Sequence, residues 1–224
     1  MMPIGEVEEA ANIARRAADM LLATSSEQKG RSGSDLRRAC GDLKTNAEVY
    51  ILRNVIATKL AECFLQARLT GATLDEFNRI RQDMVEIDAA SLVAGLIKNG
   101  CIGLALEQIS LVLIGITFTS RDDVERVKTN INPAFDQAEE TAADDMAQAV
   151  YQATITLHAA VVYFLYDTAR PLPQMLDFRF GAPRPTLVLS HRLYDTAARA
   201  DELREENKVV HPAFAPREGR ALAH

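Results

Sequence analysis

Met175-Leu-Asp-Phe-Arg-Phe180 and, beyond Gly181-Ala-Pro-Arg-Pro185, Thr186-Leu-Val-Leu-Ser-His-Arg-Leu-Tyr194 decide how this chain is read. The first stretch alternates apolar and polar residues, the period-2 signature of a half-buried strand, and the Gly/Pro run stops it. Thr186 is placed to cap a short helix in which Leu187, Leu189 or Ser190, and Leu193/Tyr194 return at about helical spacing. A second helix is expected over Arg199 to Asn207, with Leu203 inward and the charges outward. Val209 and Val210, the Pro212-Ala-Phe-Ala-Pro216 turn and a closing Arg220-Ala-Leu222 complete a strand, helix, helix, strand order.

Everything before this module reads as helix. The first helix is expected from Gly5 to Ala23, with Val7, Ala11, Ala14, Ala18 and Leu21 on one stripe. Residues 24–34, Thr-Ser-Ser-Glu-Gln-Lys-Gly-Arg-Ser-Gly-Ser, have the composition of a flexible loop. Ser34 is placed to cap a short helix to Leu43. Thr45-Asn-Ala-Glu48 matches a capping box opening a longer one through Val49, Leu52, Ile56, Leu60, Cys63 and Ala67 to Gly71. Thr73-Leu-Asp-Glu76 repeats that logic for a helix through Ile80, Met84, Ile87, Leu92 and Leu96 to Asn99-Gly100, so an antiparallel pair is expected. Ser120 restarts a polar helix to Asn130, and Asn132-Pro133 opens another whose pattern (Phe135, Ala138, Ala142, Met146, Ala149/Val150, Ala153, Leu157, Val161, Phe164/Leu165) runs to Asp167. Six of the eight prolines lie at or after Pro171, which divides the chain into a helical body, 1–170, and a module, 171–224.

The most apolar run is Cys101 to Phe118, and it only just reaches membrane-spanning length. Glu107, Gln108 and Ser110 lie at its centre, where a carboxylate costs about 2.5–3.5 kcal/mol on insertion scales. A helix buried on nearly all sides, by its own domain or by neighbouring subunits, is therefore expected, not a transmembrane segment. The chain carries 25 Lys and Arg against 31 Asp and Glu, net −6, so a protein-wide grip on nucleic acid is not expected. Cys40, Cys63 and Cys101 are widely spaced and odd in number; they read as buried thiols, with an intermolecular disulfide the alternative. The amino-terminal residues lack the basic and apolar regions of a secretory signal, and synthesis in a bacterial cytoplasm is the expectation.

Candidate chemistry is sparse. Ser190, His191 and Asp195 have the residue types of a hydrolytic triad, but neighbours on one helix point about 100° apart, so Ser190 and His191 do not form a nucleophile-base pair. His158, His191, His211 and His224 show no ligand spacing with Cys or carboxylates, and no metal or other cofactor is expected. Asp136, Glu139, Glu140, Asp144 and Asp145 read as a solvated helix face opposite Ala138, Ala142 and Met146. Lys29, Arg31, Arg37, Arg38 and Lys44 flank the loop without aromatic interleaving. Between Arg184 and His224 seven Arg/Lys meet six Asp/Glu, which is not a DNA-binding patch.

The terminal order, with Asn207 closing the second helix and a Pro-containing loop before the last strand, resembles a LysM-type module. Leu187-Val-Leu-Ser-His-Arg-Leu-Tyr194, Ala198-Arg-Ala-Asp-Glu-Leu203, Glu206-Asn207 and Val210-His-Pro-Ala-Phe-Ala-Pro216 together resemble the carboxyl-terminal end of the Mu-like phage tail family called DNA circularisation proteins. The resemblance covers about forty residues, and the family's usual amino-terminal domain has no counterpart here. It fits the mainly α body with a small α+β terminal module read from the residues, and no enzyme activity is expected of the protein, since no nucleophile, base and oxyanion donor can be assembled from the motifs. Its place would be the virion, as a structural component of a contractile tail at the baseplate hub or the hub-tube junction. Its partners would be copies of itself in a ring and other tail and baseplate proteins. Leu187, Leu193, Tyr194, Leu203, Asn207, Pro212 and Phe214 are the residues expected to build or dock the module. Cell-wall glycan binding by the module is the alternative, and holding the ends of injected DNA is a third reading.

Overall fold

A computed structural model describes residues 3–24 and 30–223. Among them the chain is mainly α, with nine helices and one small antiparallel two-stranded sheet near the carboxyl terminus. The helices are α1 (Ile4–Leu22), α2 (Arg31–Leu52), α3 (Ile56–Leu69), α4 (Leu74–Val85), α5 (Leu92–Leu113), α6 (Arg121–Asp144) and α7 (Gln148–Ala169). Strand β1 (Met175–Arg179), α8 (Thr186–Tyr194), α9 (Ala200–Glu206) and β2 (Glu218–Leu222) follow. Two compact units form: residues 1–116 with 132–161, and residues 117–131 with 162–224.

The first unit is a helical body built around small residues. Ala10, Ala11, Ala14, Ala17, Ala18 and Leu21 of α1 are fully buried, and their short side chains let α2 and α5 pack close against them. Leu36, Cys40, Leu43 and Ala47 of α2 meet Leu60, Cys63, Phe64 and Ala67 of α3, and Phe64 stacks on Phe77 of α4 at 6.4 Å. The Cys40 and Cys63 thiols hydrogen-bond to each other, which lowers the first and, with burial, raises the second. Burial alone pushes Cys101 up to about 12. All three cysteines are buried and reduced.

Several helix limits differ from the sequence expectation, each for a physical reason. Within the expected 24–34 loop, residues 25–29 lie outside the described ones, while Arg31–Ser34 already belong to α2. Gly30 precedes it at φ 94°, and burial of Gly33 in line with Leu36 and Cys40 overrides the loop-like composition. That buried line continues through Leu43, Ala47 and Ile51, so α2 does not stop at Leu43. Thr45 donates to the Gly41 carbonyl (2.9 Å) and caps nothing, and Glu48 pairs instead with Arg15 (2.8 Å). Val49 and Leu52, expected inward, are exposed.

The chain breaks after α2, α3, α6 and α9 by one shared device. A residue with positive φ follows the helix, its N–H and the next one returning to carbonyls of the last turn. Gly71 is the expected instance; Asn54 (φ 55°), Met146 (φ 53°) and Lys208 (φ 50°) are the others. Val55 N donates to Tyr50 O, Ala147 N to Ala142 O and Val209 N to Arg204 O, each at 2.9 Å. Met146, expected on a buried stripe, is therefore 91% exposed at the turn between α6 and α7.

The Thr73–Glu76 capping box forms as expected. Its helix, however, stops at Val85, and Ser91 starts α5 by accepting from Ala94 N (3.2 Å). Glu9 of α1 reinforces this start by accepting from Ala90 N (2.7 Å) and Ser91 N (3.1 Å), a contact across the body that local sequence does not carry. Asn99 and Gly100 thus lie inside α5, and Leu92 and Leu96 face outward. Half of the apolar window of α5 is buried within this chain. Its polar centre is satisfied: Gln108 accepts from Arg68 (2.8 Å) and Ser110 donates to Leu106 O (2.8 Å). Pro133 does not start a helix but lies inside α6, where it supplies no N–H to the preceding turn.

Candidate docking surface

The second unit begins from a small core. Phe178, Leu189, Tyr194, Leu203, Ala215 and Ala221 are buried together, with Phe180, Leu193 and Val209 packed against them. Strands β1 and β2 pair antiparallel from Met175 opposite Leu222 to Arg179 opposite Glu218, which places Phe178 opposite Gly219. A Cβ at Gly219 would lie 2.7 Å from Phe178 Cζ and collide with Asn207 Oδ1, so glycine is required there by space, not by backbone angle.

Asn207 explains why. Its amide donates to Leu203 O (2.9 Å) and Arg220 O (2.8 Å), and its carbonyl oxygen accepts from Arg220 N (2.7 Å). One side chain thus joins the end of α9 to β2. Tyr194 lies under the Arg199 guanidinium, 3.8 Å from the ring centre, and Arg199 grips Glu202 through two bonds of 2.9 and 2.8 Å. Burial raises the Tyr194 hydroxyl above its ordinary value.

The start of α8 departs from the expected cap. Pro185 holds the cap position and Thr186 is already helical and buried. The Thr186 N–H (2.8 Å) and hydroxyl (3.2 Å) both donate to Pro212 O, and Arg184 bridges Ala215. These bonds set the 184–187 segment beside the 211–215 turn. That juxtaposition gives the expected module residues two roles. Tyr194 and Leu203 are core, Leu193 flanks it, Asn207 clamps it and Pro212 supplies the tethering carbonyl. Leu187 (59% exposed) and Phe214 (73%) face out from the two tethered segments. The Phe214 ring rests at a tilt on His211, 5.4 Å between centroids. Val210, expected with Val209 to help complete the module, is fully exposed; exposure of an apolar residue in a loop has no sequence period to reveal it.

The terminal residues are joined within this unit to the beginning of α6. Arg121 donates to Leu172 O (2.7 Å) and Arg170 O (3.1 Å), and Asp122 accepts from Met175 N (3.2 Å). Ser120 accepts from Asp123 N (3.2 Å) and donates back to its carboxylate (2.8 Å). Burial pushes the Asp123 carboxyl up, but the Ser120 and Thr119 hydroxyls and Arg126 outweigh it and hold it below its ordinary value.

Ser190 is fully buried and donates to Thr196 O (2.6 Å), while His191 is exposed, so the triad residue types are not assembled. On α7 the spacing of Ile155, Ala159, Tyr163 and Tyr166 puts them on one exposed face, both tyrosines at 72%. Only 11% of this helix's apolar window is buried; α5 and α7 are each long and apolar enough to cross a membrane. The donor set that spacing did not reveal is Asp136, Glu139 and His158, whose ligand atoms lie within 4.8 Å of one another. No protein-family model matches the chain, and no curated protein matches it.

Proposed function

We propose that this chain is a non-enzymatic structural subunit of a contractile phage tail or related injection machine, at the baseplate hub or the hub-tube junction. It acts by non-covalent packing against copies of itself and against neighbouring tail proteins. The blocks from Leu187 to Pro216 support the location through their resemblance to the tail family. The observation that carries the packing role is α7. A 22-residue helix of high hydropathy whose Ile155, Ala159, Tyr163 and Tyr166 are all exposed supports an association surface there. A second copy is its natural occupant, because an uncharged apolar face is complementary to itself about a two-fold axis or within a ring. Deleting the gene from its phage and imaging the particles tests the reading: tails that are absent or arrested at the baseplate support it, and full-length contractile tails contradict it.

One observation favours the glycan reading. Phe178, Phe180 and Tyr194 are spent on the core, but Phe214 stands exposed with His211 behind it, as a sugar-stacking ring does. Retention of the full chain on peptidoglycan, lost in Phe214→Ala, supports that role; no retention leaves the packing role alone.

A further inference from the structure

We infer that Asp136, Glu139 and His158 form a binding site for one first-row divalent cation of the Zn2+ type, bridging α6 and α7. Nothing in the proposed packing role requires such a site. Asp136 and Glu139 are three residues apart, so both project from one face of α6. His158, from the first half of α7, meets them: Nδ1 lies 2.8 Å from Glu139 Oε1, and one donor atom of each of the three residues falls within 4.8 Å of the others.

The imidazole is held for this task. Its ring stacks flat on Phe135, 4.8 Å between centroids and 7° between planes. Its other nitrogen, Nε2, faces Asn132 Oδ1 at 3.4 Å. Both ring nitrogens therefore face acceptor oxygens, while a neutral imidazole has a single N–H. Without a cation, Nδ1–H donates to Glu139 Oε1 at 2.8 Å; a cation would take the place of that proton, with the ring N–H moved to Nε2 and directed at Asn132 Oδ1. A metal ligated by Nδ1, with the opposite N–H held by an outer partner, is the usual arrangement of a histidine ligand.

The donor set selects the cation. One imidazole nitrogen and two carboxylate oxygens suit Zn2+ and its neighbours, and three donors are too few for the six to eight oxygens of Ca2+. Ligands about 2.0–2.1 Å from a tetrahedral Zn2+ sit about 3.3 Å apart, so Glu139 and His158 separate by a fraction of an ångström and Asp136 swings in. The Glu139 and His158 side chains are 21% and 17% exposed, which limits competition from water, and Asp136 is open to solvent and provides the entry path.

The test is calorimetric titration of Zn2+ into the tag-free, reduced full chain, with Co2+ absorption as a second readout. One equivalent is expected to bind, with a cobalt spectrum lacking thiolate charge transfer. Asp136→Asn and His158→Gln should each weaken binding by about tenfold or more. Asp136 is exposed and its substitution leaves the packing intact, so this variant decides the matter even if His158→Gln disturbs the stack on Phe135. Absence of saturable binding overturns the inference, leaving a proton-bridged Glu139–His158 pair. So does unchanged affinity in Asp136→Asn, or binding that vanishes only when the cysteines are blocked.

Discussion

Met146 occupies the left-handed position that ends α6, where glycine or asparagine is usual. A side chain there costs about 1–2 kcal/mol, and Met146 recovers nothing because it is exposed. Met146→Gly is therefore expected to stabilise the fold by about 1 kcal/mol in urea denaturation, net of the entropy glycine loses. Gly219 is the opposite case. Its φ is ordinary, yet Gly219→Ala forces Asn207 or Phe178 aside, and a loss of about 1–3 kcal/mol is expected from overpacking. Asp123 makes stability depend on acid. Its folded-state pKa lies below its unfolded one, so its contribution is complete above the unfolded value of about 4 and is lost as pH falls through the folded value. The urea midpoints of wild type and Asp123→Asn should differ at neutral pH and converge below about pH 4. If they stay apart in acid, the carboxylate is not the source.

Helices were easy to foresee, and their ends were not. The strand, helix, helix, strand order of the terminal module was legible because its periods switch cleanly from two to about 3.6 between Gly/Pro runs. In the body the apolar stripes named Leu60, Cys63, Ala67, Ile80 and Met84 correctly. The breaks after Leu52 and Asp144 lay hidden because Asn54 and Met146, unlike Gly71, do not announce a left-handed residue. The start of α5 combines the local Ser91 cap with Glu9, eighty-one residues from Ala90, and the second half of that device has no local pattern. The same distance effect conceals the Asp136–Glu139–His158 set, which exists only because α6 and α7 fold back on each other. Of the module residues, Tyr194 and Leu203 were legible from periodicity and Asn207 from the LysM-type resemblance, whereas the outward setting of Leu187 and Phe214 depends on the Thr186–Pro212 tether. An element-scale consequence concerns the Thr73 capping box: Thr73→Ala should lower stability by about 1 kcal/mol, while Thr45→Ala, whose hydroxyl caps nothing, should change it by less than about 0.5 kcal/mol.

At the scale of the whole molecule, two features bear on assembly. The cysteines are sealed: Cys40, Cys63 and Cys101 are each fully buried, so linkage of copies through disulfides would require the body to open. Any association of copies would then be non-covalent, and α7, with 11% of its apolar window buried, is the surface the proposal assigns to it. The net charge of −6 does not oppose contact along the stripe of Ile155, Ala159, Tyr163 and Tyr166, which carries no charge. Sedimentation velocity over a concentration series, with wild type beside the Ala159→Glu, Tyr163→Glu double variant, tests this most directly. The account predicts that wild type forms a discrete oligomer with rising concentration and that the variant remains a folded monomer. A wild-type chain that stays monomeric throughout, or that partitions into added lipid vesicles through α7 instead of self-associating, contradicts it.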